Sequence, residues 1–511
     1  MPHGKQTSVW AVPVMGGVMR KIRDDALAWT VSRDGSWVPF GADLGNSFYR
    51  ELWLMRPDGG QARKLYEADE NTSFVGAEFS PDGERLGYVQ FRRLADKYEL
   101  SIESRALNGG PATTAISFPF SMQDWTWSPD GRIIASVPDP ANSRSNTCNF
   151  WQTRIDGRTG EPLEKTRRLT NWSGFCMDQP SVTADGKRLA YRRTSTQSGV
   201  YLADLQDNGR RITTPRAFTL DEALDQPAAW TTDSKALVFT SNQNGRREIY
   251  KQSLDQDAPQ LVATSLDENP EQATGLGLID RFVPRMSPDG AWVLYLSMPK
   301  ESGSLTPVRL MRIPITGGTP ELVLTTPRGR VDSLRCARSP ASLCAIDEAT
   351  SDGKRLIFTA FDPIQGRGRK LAQFDTKPTT DAEYAWDLSP DSTRIAIVRR
   401  SEATIHLLSL SGHAPAEVVV KGWSGLQTLD WTADGNGMFV TSTTGTGSAV
   451  LQVDLEGNAH LLWEPKGSIQ SFSTPFIGGL LTPWAVPSPD GRHLALCQWT
   501  FSANMWMMEN F

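Results

Sequence analysis

The stretch Phe79-Ser-Pro-Asp-Gly-Glu-Arg-Leu-Gly-Tyr-Val89 constrains the fold of this chain more than any other. In Ser80-Pro81-Asp82-Gly83, proline presets φ at the first corner, aspartate bonds its own backbone and glycine takes a left-handed exit. Apolar residues follow at Leu86, Tyr88 and Val89, so the turn opens into a short strand. The predicted unit is a β-hairpin, with one strand ending at Phe79 and the next starting near Arg85.

The same corner returns along the whole chain. Its aspartate falls at Asp34, Asp82, Asp130, Asp185, Asp233, Asp289, Asp352, Asp391, Asp434 and Asp490, each a structural turn position. The intervals are 48, 48, 55, 48, 56, 63, 39, 43 and 56 residues. One such corner is uninformative. Ten at near-constant spacing are an internal repeat, and a period of roughly 40–50 residues with four short strands per unit is the mark of a β-propeller.

A full unit reads clearly near the end of the sequence. Its strands are Leu426 to Trp431, Gly437 to Ser442, Ala449 to Asp454 and Asn458 to Trp463, with Glu456-Gly457 as the last turn. The final unit shows Leu494 to Trp499 and Asn504 to Met508, and lacks an outermost strand. The fold class is therefore all-β. Ten units exceed the roughly 4–8 blades of one ring, so two propellers in tandem are expected, the first incomplete, with a single ten-bladed ring as the alternative. The expected division is 1–215 and 216–511, with the stretch from Arg211 to Thr219 handing an edge strand to the final blade.

At 511 residues the chain can bury a large core. Lys+Arg 53 against Asp+Glu 58 is too balanced to argue for nucleic acid or an anionic membrane. No run of about 18 apolar residues occurs, so no helical membrane span is expected. The apolar stretch from Val9 to Met19 could pass for a signal peptide. Set beside Trp53 to Leu65, however, Trp10 to Ile22 repeats its Trp, Gly-Gly and Arg-Lys position by position. It reads as the outer hairpin of a blade, and the expectation is a natural protein that continues upstream.

The Ser-Pro-Asp-Gly turns and the stretch Thr240-Ser-Asn-Gln-Asn-Gly-Arg-Arg-Glu-Ile-Tyr-Lys251 resemble the WD40-like PD40 repeats of TolB-type propellers, over nearly the whole chain. Arg168 to Gly174, Val308 to Pro314, Phe361 to Gly366, Pro489 to Leu494 and Asn504 to Phe511 are similar to the C-terminal sensor regions of acidobacterial-type Ser/Thr kinases and winged-helix regulators. The resemblance implies a sensory or interaction module, an effector domain upstream and a location outside the cytoplasm. It leaves the ligand unnamed, since a fold alone does not give function.

The residues themselves point away from catalysis. Of five histidines, His406 and His460 lie in strand patterns and read as sheet residues rather than bases. The nearest match to a nucleophile elbow, Gly422-Trp-Ser-Gly-Leu426, has Leu where the last Gly belongs and precedes an ordinary inner strand. Kinase, P-loop and H-E-x-x-H motifs are absent. The aspartates stand one per blade, as turn caps rather than metal ligands, and no cofactor is expected. The expected function is binding of a protein, peptide or small ligand. The alternatives are a propeller partner of a prolyl-oligopeptidase-type peptidase and an envelope- or polysaccharide-binding module.

Insertions in such arrays map to loops on one face, often the binding face. They fall at 139–149, 267–281, 328–347 and 467–479. The third carries Arg328, Arg330, Arg335 and Arg338, and Arg367 and Arg369 follow one blade on. Their convergence would hold an acidic peptide or carboxylate in bidentate geometry. Cys336 and Cys344 sit in the longest interval, which reads as an extra loop: a local disulfide in an oxidising compartment, two thiols otherwise.

Overall fold

The computed structural model describes all residues except 1–6, 45–48, 95–97, 119–121, 139–146, 222, 246, 265–282, 298–306, 327–330, 351, 377–383, 401, 445–446, 466–472, 475–476 and 479–483. Among the described residues there is no α-helix, and one 3-10 turn at Asp207–Gly209. All else that is regular is antiparallel strand, mostly in four-stranded sheets.

The corner is a two-residue device. In nine of the ten, the Ser or Thr two positions before the aspartate donates its hydroxyl to the carboxylate. The same oxygen accepts the backbone N–H five residues on, at 2.9–3.1 Å. Turn and strand start are thus locked together by side chains that would otherwise compete with the ladder. The residue after each aspartate has φ between 61° and 85°, glycine in eight corners and Ser234 and Ser392 in the others. The Asp130 corner is tighter: Ser128 N donates to Arg132 O at 2.7 Å, four residues on.

The chain divides into two compact units. The first takes in residues 7–138, 147–194 and 503–511. It holds three blades of four strands: Leu27–Ala28 to Arg63–Glu67, Thr72–Phe79 to Thr113–Phe118, and Asp124–Trp127 to Arg167–Arg168. A fourth sheet combines Cys176–Val182 with parts of two long strands, Arg188–Gln206 and His493–Glu509. Its core lies between blades, with Ile134 and Phe150 packed on Met177, Leu189 and Tyr191. A disulfide joins Cys148 to Cys176 across the same gap. The hairpin Ser8–Ala11 with Arg20–Asp24 keeps the register of Tyr49–Met55 with Arg63–Glu67: Trp10 faces Lys21 as Trp53 faces Lys64, each pair after a bulge. In both, the lysine ammonium lies over the indole, at 5.3 and 5.4 Å.

The second unit, from Ser195 to Ser502, is a closed six-bladed ring. Its inner strands are Gln226–Trp230, Arg285–Met286, Val331–Cys336, Tyr384–Leu388, Leu426–Trp431 and Ala485–Pro487. Each neighbours the next, and the last returns to the first. Closure is hydrogen-bonded, since Trp230 Nε1 donates to Val486 O at 2.9 Å and Trp484 Nε1 to Pro227 O at 3.2 Å. The fold is a β-propeller. The blade at Asp434 has the four strands expected from the sequence. The two strands expected in the last unit are instead one, His493–Glu509. Its first part pairs with Ala485–Pro487 and with Arg188–Gln206, whose far edge carries Arg211–Ile212 and Arg216–Ala217.

One corner is displaced from its expected place. Asp352 lies between the second and third strands of its blade, Cys344–Ala349 and Arg355–Asp362, not after the inner strand. The inner corner of that blade is Ala337 to Leu343, with Ala337 N donating to Leu343 O at 2.8 Å. It lacks the Ser/Thr-x-Asp device, and the disulfide between the directly opposed Cys336 and Cys344 closes it instead. The segment is therefore a blade corner and not an extra loop. This accounts for the uneven 63 and 39 intervals, because a corner at residue 341 stands 52 after Asp289 and 50 before Asp391.

Candidate functional site

Within the ring, one position on each inner strand points to the axis: the residue two before the corner's first hydrogen-bonding residue. These are Ala229, Arg285, Arg335, Asp387, Asp430 and Val486, and together with Arg338 they line a cavity of about 120 Å³. The lining is polarised. Four successive blades supply charge, and the two that meet at the closure supply Ala229 and Val486.

The charged arc is tightly set. Arg335 Nε lies 3.5 Å from Asp387 Oδ1, both side chains being about nine-tenths buried. Asp387 Oδ2 accepts the N–H of Trp431 at 2.9 Å, and its carbonyl accepts the indole N–H at 3.3 Å. Arg285 Nη1 donates to Ala228 O at 2.7 Å, and Arg338 Nη2 to Trp431 O at 3.0 Å. Among the described residues, Arg338 Nη1 and Arg335 Nε are buried without a hydrogen-bond acceptor. Burial pushes the Asp430 carboxyl up to about 7, and the charge of Asp387 adds to this against the pull of Arg285, Arg335 and Arg338. Burial likewise lowers Arg338, with Asp387, Asp430 and Asp434 opposing. The arrangement offers donors to an anion, with a carboxyl beside them that takes up a proton near neutrality.

Of the expected arginine patch, the structure brings together Arg335 and Arg338. Arg328 and Arg330 lie outside the described residues. Arg367 and Arg369 stand on Gly366–Asp375, the outermost strand of the blade, and do not join them. Arg367 is held bidentate by Glu348, at 2.7 and 2.8 Å, and Arg369 is exposed. Of the insertions, 267–281 lies wholly and 139–149 and 467–479 mostly outside the described residues. Arg285, Asp387 and Asp430 were not singled out in the sequence. Their signal is there, as the residue two before each corner hydroxyl: Arg285 before Ser287, Asp387 before Ser389, Asp430 before Thr432.

Neither His406 nor His493 lines this pocket. His493 Nδ1 meets Asp204 at 2.8 Å and its ring stacks on Trp230, while His406 Nδ1 meets Glu417 at 3.1 Å beside Phe374. Ser424 is exposed, just before Leu426–Trp431 begins. Among the described residues no three His, Cys, Asp or Glu side chains are placed to hold a metal, and no helix is long and apolar enough to cross a membrane.

No protein-family model matches the chain, and no curated protein matches its sequence. Among solved structures it is similar to a putative TolB from Agrobacterium tumefaciens, at 17% identity and a TM-score of 0.42, covering 60% of this chain and 99% of that one. TolB from Acinetobacter baumannii follows at 12% identity and 0.37, covering 82% and 84%. A prolyl endopeptidase aligns at 14% identity and 0.26, over 75% of this chain and 52% of its own. The likeness is one of fold.

Proposed function

We propose that this chain is a non-catalytic binding module whose six-bladed ring takes part of a protein, peptide or small ligand into its axial pocket. The observation that carries this reading is the convergence of Arg285, Arg335, Arg338, Asp387 and Asp430 on one cavity, with Arg338 Nη1 and Arg335 Nε left without a hydrogen-bond acceptor among the described residues. Buried donors without partners cost about 1–3 kcal/mol each, and a bound acceptor removes that cost. The described lining carries the hydroxyls of Thr232, Ser287 and Ser339 and no histidine, which supports binding over nucleophilic catalysis as the role of this pocket. The wider role, as the sensory part of a larger regulator, rests on the resemblance of the repeats described above.

Two measurements test it. Peptidase and esterase reporter substrates should show no turnover; activity lost on Ser424→Ala would overturn the reading. A peptide array should yield signals with the full chain that fall away in Arg338→Gln. Signals equal in both would move the binding surface off the axis.

A further inference from the structure

We infer that the axial pocket takes a single carboxylate attached to a short apolar group, either the free C-terminus of a peptide or a small organic acid. This rests on the binding reading above and adds the chemistry of the ligand. Three guanidinium groups and two carboxyl groups line the cavity, Arg335 beside Asp387, so one positive charge remains once Asp430 has given up the proton it holds near neutrality. One negative charge balances it. With Asp430 ionised, a phosphate dianion over-compensates that charge and meets both carboxylates, a repulsion that low-dielectric surroundings enlarge.

Shape gives the second argument. Arg338 Nη1 is buried with no acceptor among the described residues, Arg335 Nε is ion-paired with Asp387 at 3.5 Å without a hydrogen bond to it, and a planar carboxylate with two oxygens is suited to such arginine donors. The wall at the ring closure is apolar, with Ala229, Val486 and Pro487. A ligand with an anionic end and a hydrocarbon end has one orientation that satisfies both walls. At about 120 Å³ the cavity has room for several waters, so a group the size of a terminal alanine is accommodated.

The test is calorimetric titration of the full chain at about pH 8, where Asp430 has given up its proton, with four probes: acetyl-alanyl-alanine, its C-terminal amide, propionate and inorganic phosphate. The acid peptide or propionate should bind, and the amide and phosphate should not. Tighter binding of the peptide than of propionate identifies a chain terminus as the source; the reverse order identifies a small acid. Arg338→Gln should weaken binding about tenfold or more, as loss of a charge-assisted hydrogen bond demands. Arg367→Gln, outside the pocket, should leave it unchanged. Should Arg338→Gln unfold, Arg285→Gln replaces it, with thermal unfolding as the check on folding. Amide binding equal to acid binding overturns the carboxylate while keeping the pocket, provided Arg338→Gln still abolishes both. Preference for phosphate, indifference to both arginine variants, or no binding by any probe overturns the inference outright, and the array experiment then judges the binding reading by itself.

Discussion

The Asp387 carboxylate accepts the backbone N–H of Trp431, one blade further on, at 2.9 Å. Glu78 does the same for Trp127 in the first unit, at 2.7 Å. An acidic residue on one inner strand thus fixes the height of the next and, in the ring, sets the charged arc in place. Asp387→Ala strands that N–H and leaves Arg335 without its counter-charge. We expect a loss of about 3–5 kcal/mol, the cost of an uncompensated buried partner, read as a lower denaturation midpoint of the second unit. Asp387→Asn, which keeps an acceptor oxygen, should lose less.

Ser392 occupies the left-handed exit of its corner at φ 62°, where a side chain costs about 1–2 kcal/mol, and its hydroxyl is buried without a partner among the described residues. Ser392→Gly removes both penalties and should stabilise by about 1 kcal/mol. Ser234, at φ 61°, is the control, because its hydroxyl accepts the N–H of Asp490 at 3.1 Å across the ring closure. Ser234→Gly should bring little or no gain. Paired urea titrations decide between them.

The two disulfides close loops of different length, 28 residues for Cys148–Cys176 and 8 for Cys336–Cys344. On chain entropy, opening the first costs about 3.5 kcal/mol and the second about 2.5. Double Cys→Ala variants at each pair should lower thermal stability in that order. A reversed order would mean that the corner at Cys336 depends on its bridge more than loop closure explains.

Stability should peak in mildly acid solution. Eight corner aspartates are held below their ordinary values, Asp34 down to about 2 by the Ser32 and Ser36 hydroxyls. Their folded pKa lies under the unfolded one, so their stabilisation is present above about pH 4 and lost as pH falls through the folded values. Burial raises Glu78, Asp225 and Asp430 to about 7 and Asp124 to about 6. These oppose folding when ionised, so stability rises as pH drops from about 7 toward the unfolded carboxylate range. The unfolding temperature should climb from pH 8 to about pH 5 and fall below about pH 4. Asp430→Asn should flatten the neutral limb.

The corners and the four-stranded unit were legible because their determinants are local. Ser80 and Asp82 act within five residues, and the blade at Asp434 shows its strands as short apolar-rich runs between turn residues. The charged arc was not legible in the same way. Arg285, Asp387 and Asp430 are far apart in sequence, and their common register has meaning only once six corners share one ring. The Asp352 corner misled because the same four residues cap a turn equally well between any two strands. The Cys148–Cys176 bridge was missed because it links two blades, and spacing along the chain says nothing of neighbours across a blade gap.

The long strands Arg188–Gln206 and His493–Glu509 each begin in one unit and finish in the other. On the ribosome this inverts the order of completion. The sheet around Cys176–Val182, translated early, waits for its third strand until residues 503–509 emerge, and by then nearly all of the later ring has been made. A premature stop that spares every earlier blade would therefore leave both units with an unfinished sheet.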